Sequence, residues 1–158
     1  MPYIIDANNL AGQLNLLKIK NFDKELIQLI KKWAENKHKK IILVFDSNYF
    51  MGDQIVEDNI TIIYTPRDNY YHNADDKIIE LIEKSHHVGF TIVTNDIELK
   101  QRITRFEKSN NLNIKFKSAT RFAQILKNSF ELNQDKEIFN EEDKEKINRE
   151  LLRAWNKK

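Results

Sequence analysis

Tyr3-Ile4-Ile5-Asp6-Ala7-Asn8-Asn9 is an apolar run that ends abruptly in an aspartate and two asparagines. The pattern returns at Ile41-Ile42-Leu43-Val44-Phe45-Asp46 and at Phe90-Thr91-Ile92-Val93-Thr94-Asn95-Asp96. Short β-branched runs bounded by polar residues read as buried strands, so three separate strands each finish in a carboxylate. These ends are expected to converge on one acidic, metal-binding site.

Between the runs lie helix-period segments. Leu26, Ile27, Leu29, Ile30 and Trp33 recur at helical spacing, with Lys24, Glu25, Gln28, Lys31 and Lys32 facing out, which predicts a helix over 22–36. The basic run Lys37-His38-Lys39-Lys40 suits the negative end of that helix. Strand, helix and strand at this spacing imply a parallel pair joined by a crossover. Ala7 to Asn21 and residues 47–59 read as loops, and 60–65 as a third strand of open direction. Asn73 is the expected cap of a helix over 74–86, with Asp75 and Asp76 in its first turn. Asn95 or Asp96 caps a further helix, 112–116 alternates as an edge strand would, and Ser118 starts a helix that completes the domain near 128. The expected fold class is thus α/β, an open, mostly parallel sheet of about five strands with helices on it.

Residues 129–158 differ in character, holding eight acids and seven bases. Asn140 followed by Glu141, Glu142 and Asp143 is a helix start, and Ile147, Leu151, Leu152 and Trp155 form a narrow apolar stripe. The expected organisation is a domain over 1–128, then a linker and a C-terminal helix over 129–158 that packs on the domain or on a partner.

The 158 residues contain no cysteine, which excludes disulfides, thiol catalysis and thiolate zinc sites. No apolar run approaches the length of a membrane span, and no signal segment precedes the first strand, so a cytoplasmic protein without membrane attachment is expected. A net charge of +2 does not by itself point to nucleic acid.

In open α/β sheets ligands sit outside the carboxyl ends of the strands, where Asp6, Asp46 and Asp96 all fall; Asp75 and Asp76 reach the same rim if the 66–73 loop crosses it. Four or five carboxylates in one cleft repel unless cations are present. Mg²⁺ or Mn²⁺, with all-oxygen ligation, are the natural occupants, in an arrangement suited to phosphodiester hydrolysis. Each aspartate alone also reads as a turn residue or helix cap, and their joint occurrence is what argues for a site. His86 and His87, adjacent on a helix, diverge too far for a shared zinc.

Ile-Ile-Asp-Ala-Asn-Asn-Leu-Ala-Gly, Val-Phe-Asp-Ser, Ile-Tyr-Thr with Asn-Ala-Asp-Asp-Lys-Ile, and Ile-Val-Thr-Asn-Asp, in this order over residues 3–126, resemble the motifs of NYN domains, in particular the YacP-like branch of the PIN-like nuclease superfamily. The resemblance implies a three-layer α/β/α sandwich and a divalent-metal-dependent endoribonuclease, with some relatives acting on mRNA at the ribosome. It carries over Asp6, Asp75 and Asp96 as metal-binding positions, Asp46 and Asp76 as further acidic positions, and Asn9 as the asparagine that follows the first aspartate. Ala7 stands where a glycine is usual, and Asn95 where a small serine is common.

Arg67, Tyr70, Tyr71 and His72, just before the helix that carries Asp75, are candidates for stacking on unpaired bases and touching phosphates. Lys18, Lys20, Arg102 and Arg105 are candidates for a phosphate track. Two other readings stay open: an RNA- or ribosome-binding module that cleaves weakly, and a small-molecule phosphohydrolase. The latter lacks an Asp-x-Asp motif after the first strand and a Gly-rich phosphate loop.

Overall fold

The first strand, β1 (Tyr3–Asp6), is buried along its whole length and forms the middle of the sheet. The computed structural model describes residues 1–35, 37–46, 53–65, 73–85 and 89–136, with side chains to 129. β2 (Ile41–Asp46) pairs in parallel with one side of β1, and β5 (Gly89–Val93) with the other. Beyond β2 lies β4 (Ile60–Thr65), also parallel, and beyond β5 lies β6 (Asn113–Lys117) at the edge. The chain therefore builds one side of β1 first and then crosses to the other, which makes the crevice at the carboxyl ends of β1 and β5 a topological switch point.

Among the described residues the sheet has six strands, one more than the sequence pattern suggested. Asp53–Glu57, expected to be loop, is β3, an antiparallel edge strand on β4. All five of its residues are exposed, so no inward apolar alternation marks it. A two-residue turn at Asp58-Asn59 joins the pair, with Asp58 at φ 51°, the left-handed conformation that tight hairpins require. β4, whose direction was open, runs parallel to β2.

Helices cover both faces. α1 (Ala7–Gln13) begins directly at Asp6, where a loop was expected, and buries Ala7, Leu10 and Ala11. α2 (Phe22–Ala34) buries Leu26, Ile27, Leu29, Ile30 and Trp33, the stripe anticipated from its period. With α5 (Ala119–Lys136), these helices pack around Tyr3, Ile5, Leu43 and Phe45 on one face of the sheet. α3 (Ala74–Lys84) and α4 (Ile97–Asn110) pack around Ile4, Val44, Phe90 and Ile92 on the other. The result is an α/β/α sandwich with a mostly parallel sheet. α5 runs on through residue 128 to Lys136, and the helix expected around 140–155 lies outside the described residues.

Candidate functional site

Asp6 ends β1 and caps α1, and it is only 6% exposed. Its Oδ2 accepts a hydrogen bond from the Thr94 hydroxyl at 3.1 Å. Burial pushes the Asp6 carboxyl up to about 6. Thr94 and the nearby Asn9 backbone N–H work against this by favouring the ionised form, while the charges of Asp46 and Asp96 reinforce it.

Asp75, in the first turn of α3, is half-buried and faces the same group. Its carboxyl is pushed up to about 7, first by burial, then by a hydrogen bond with Asp96, and then by the charges of Asp6, Asp96 and Asp46. Two carboxyl groups hydrogen-bond one another only by sharing a proton. Asp96 also caps α4, its Oδ1 accepting the Leu99 N–H at 3.1 Å. Asp6 from β1 and Asp75 from α3 therefore both feel the charges of Asp46 at the end of β2 and Asp96 at the start of α4 across the switch point.

Asp46 has a second attachment. Its Oδ1 accepts the Ala74 N–H at 2.5 Å, which anchors the start of α3 to the end of β2 and sets the adjacent Asp75 against the cleft. Asp76, one residue further along α3, points elsewhere and accepts from Arg102 Nη2 at 3.2 Å. It is not among the charges that raise Asp6 or Asp75.

The two asparagines after Asp6 strap the neighbouring strands. Asn8 Oδ1 accepts the Asp46 N–H at 3.0 Å, and Asn9 Oδ1 accepts the Asn95 N–H at 2.9 Å. The Asn9 side chain thus positions the loop that leads to Asp96. Asn95 itself bonds the Thr120 hydroxyl through Nδ2 at 2.8 Å, tying that loop to α5. Ala7 is fully buried in the core.

Thr94 and Asn8 were not candidates from sequence. Thr94 is fully buried, donates to Asp6 and accepts the Asp96 N–H at 3.0 Å, linking two of the carboxylate positions. A threonine closing an apolar strand just before an acid is the only sequence signal, and it is a weak one. Thr65, at the end of β4 and paired with Asp46 in the ladder, has a buried hydroxyl without a partner among the described residues.

Of the residues expected to meet RNA, Arg67, Tyr70, Tyr71 and His72 lie outside the described residues. Arg102 is held by Asp76, and with Arg105 it lines a shallow groove of about 340 Å³ between α3 and α4, beside Ile79, Glu83, Phe106 and Ser109. Lys18 and Lys20 are exposed between α1 and α2.

The donor set is all oxygen, carries repelling charge and includes buried carboxyls held up in pKa, which fits a hard divalent cation in chemistry. Among the described residues no group of three or more histidine, aspartate or glutamate side chains stands close enough to hold a metal ion. The proton that Asp75 and Asp96 share would have to leave for both carboxylates to hold an ion. Among the described residues no helix is long and apolar enough to cross a membrane.

The family model described as the YacP-like NYN domain matches residues 3–158. No curated protein and no solved structure matches the chain.

Proposed function

We propose, for a chain that belongs to the YacP-like NYN family of PIN-like nuclease domains, that it is a divalent-metal-dependent endoribonuclease. The observation that carries this reading is the convergence at the switch point of the carboxyls of Asp6 and Asp75, both held up by burial and by the neighbouring carboxylates of Asp46 and Asp96, with Asp75 hydrogen-bonded to Asp96.

Asp6, Asp75 and Asp96 would hold Mg²⁺ or Mn²⁺, which supplies a Lewis acid for the phosphodiester and acidifies water. Thr94 fixes the Asp6 carboxylate through its hydroxyl, so that one carboxylate oxygen keeps a set direction. Asp46 acts by holding the start of α3, and Asn9 by holding the loop before Asp96. Asp76 holds Arg102 in the groove between α3 and α4, and Arg102, Arg105 and Lys18 are assigned to RNA phosphates. Arg67, Tyr70 and Tyr71 are assigned to unpaired bases.

The test is cleavage of a mixed-sequence single-stranded RNA with Mn²⁺, with Mg²⁺ and with EDTA, beside Asp6→Asn. Metal-dependent cutting that disappears in the variant is expected. A shift in melting temperature with Mn²⁺, absent in Asp6→Asn, reads ion binding independently of turnover.

A second reading is a weakly cleaving RNA- or ribosome-binding module. It is favoured by the lack, among the described residues, of a group of three acids or histidines that could hold a metal ion, by the tie of Asp46 to the Ala74 N–H and by the use of Asp96 as the cap of α4. RNA binding with neither cutting nor a Mn²⁺ shift, on free RNA and on message at translating ribosomes alike, would select it.

A further inference from the structure

The basic run Lys37-His38-Lys39-Lys40 plays no part in the proposed function. α2 closes at Ala34, so the run lies beyond the helix end it was expected to neutralise. Two of its lysines, and one from β6, gather instead on an aromatic floor. Lys39 and Lys117 both donate to the Tyr3 hydroxyl, at 3.5 and 3.2 Å, and lie over its ring at 5.0 and 5.3 Å from the centroid. Lys37 lies 4.7 Å over Trp33, whose ring is 5.7 Å from that of Tyr3. Phe122 completes the floor, edge-on to Trp33 at 5.0 Å.

A single lysine resting its stem on an aromatic ring is ordinary packing. Two ammonium groups on one phenol oxygen are not, because they repel each other. Among the described residues, Lys37, Lys39 and Lys117 form no ion pair with a carboxylate. The phenol oxygen accepts from both lysines, so the Tyr3 O–H retains a proton to donate, and no acceptor for it is found among the described residues. Burial works to raise the hydroxyl's pKa, yet Lys117 and then Lys39 bring it below the ordinary value. The cluster offers ammonium donors and the phenol proton and no carboxylate, set on a floor that is fixed because Tyr3 is 4% exposed and packed on two rings.

We propose that Tyr3, Lys39 and Lys117, with Lys37 at the rim, form a binding site for a phosphate oxyanion, the chemistry shared by an RNA backbone phosphate and inorganic phosphate. The anion accepts the Tyr3 proton in a hydrogen bond and takes charge-assisted bonds from the two ammonium groups. Lys39 is exposed and can re-aim around it. The site is separate from the acidic cleft, since Tyr3 lies on the face under α2 and α5, while α3 packs on the opposite face. A backbone phosphate held here anchors RNA away from the point of cleavage, and the inference holds whether or not the RNA is cut.

The test uses full-length protein in EDTA. One arm measures fluorescence anisotropy of a labelled 12-nucleotide single-stranded RNA across a salt series; the other measures the melting temperature in rising inorganic phosphate, with chloride at equal ionic strength as control. The variants are Lys39→Gln/Lys117→Gln and, keeping the packing, Tyr3→Phe. Weaker RNA binding in the double variant by about five-fold, with a salt slope shallower by about 0.7 per lost phosphate contact, assigns the site to RNA. Phosphate stabilisation that is lost in the variants, with RNA binding unchanged, assigns it to a free oxyanion. If the double variant melts normally and neither arm changes, the proposal is overturned. Should the double variant not fold, Tyr3→Phe and Lys39→Gln singly decide the same two arms.

Discussion

Asp6 keeps its proton in the folded chain to about pH 6, whereas the unfolded chain gives it up near its ordinary 3.8. The folded state thus binds more protons between these values, and stability falls as pH rises through the window. For Asp6 alone the loss is about 3 kcal/mol by the conversion of pKa to free energy, and Asp75 extends it toward pH 7. In EDTA the melting temperature is therefore expected to fall from pH 4 to pH 7 and then level, and Mn²⁺ to restore it above pH 7. Asp75→Asn should melt higher than wild type at pH 8 in EDTA and lose the Mn²⁺ response; a variant that melts lower there would show that Asp75 carries no strain. Thr94→Val keeps the shape but strips a hydroxyl that satisfies both Asp6 and the Asp96 N–H. It should cost about 1–3 kcal/mol, with Thr94→Ser recovering most of the loss in urea unfolding. Asp6, Asp46 and Asp96 could be read from sequence because a carboxylate closing an apolar run leaves a visible pattern. Thr94 and Asn8 could not, because a hydrogen bond between the ends of two strands has no period. Asp75 and Asp76 diverge for a reason that is legible afterwards: adjacent helical residues point about 100° apart, so one faces the cleft and the other Arg102.

At the scale of elements, the straps matter more than the caps. Asp46 joins β2 to α3 by accepting the Ala74 N–H, a job that needs an oxygen and not a charge. Asp46→Asn should therefore keep most of the metal-dependent cleavage and stability, while Asp46→Ala frees the start of α3 and costs about 1–2 kcal/mol, as loss of a helix cap does. Cleavage as dead in Asp46→Asn as in Asp6→Asn would instead make the charge itself essential. α4 ends on Asn111 in the left-handed conformation, φ 57°. Asn111→Gly is expected to leave thermal stability within a few tenths of a kcal/mol, and Asn111→Val to lower it by about 1–2 kcal/mol, because a β-branched residue strains there. α2, α3 and the central strands were legible because each buries a continuous stripe. α1 was missed because two asparagines and Gly12 break up Ala7, Leu10, Ala11 and Leu14, although their spacing is helical. β3 was missed because an edge strand exposed on both faces carries no alternation, and only the Asp58-Asn59 turn betrays it.

Across the whole molecule, the net charge of +2 conceals two opposed surfaces. Carboxyl groups crowd together at the switch point, and ammonium groups without a carboxylate partner among the described residues crowd over Tyr3, on the other side of the same strand. β1 carries both, with Asp6 at its end and Tyr3 at its start, so a strand buried along its whole length has crowded charge beside each tip. Local stability should follow burial: amides of β1 and β5, buried on both faces, should exchange with deuterium only through global unfolding, and those of β3, exposed throughout, should exchange first. A cation at the cleft would join the ends of β1 to the starts of α3 and α4, elements far apart in sequence. Adding Mn²⁺ in hydrogen-exchange mass spectrometry should then slow peptides spanning 3–9, 73–78 and 94–99 together and leave 53–57 unchanged. Protection limited to one of the three peptides would mean a single-carboxylate contact, too weak to organise a phosphodiester. Protection of all three at once would mean that the ion takes the place of the proton shared by Asp75 and Asp96 and so couples α3 to α4 through the end of β1.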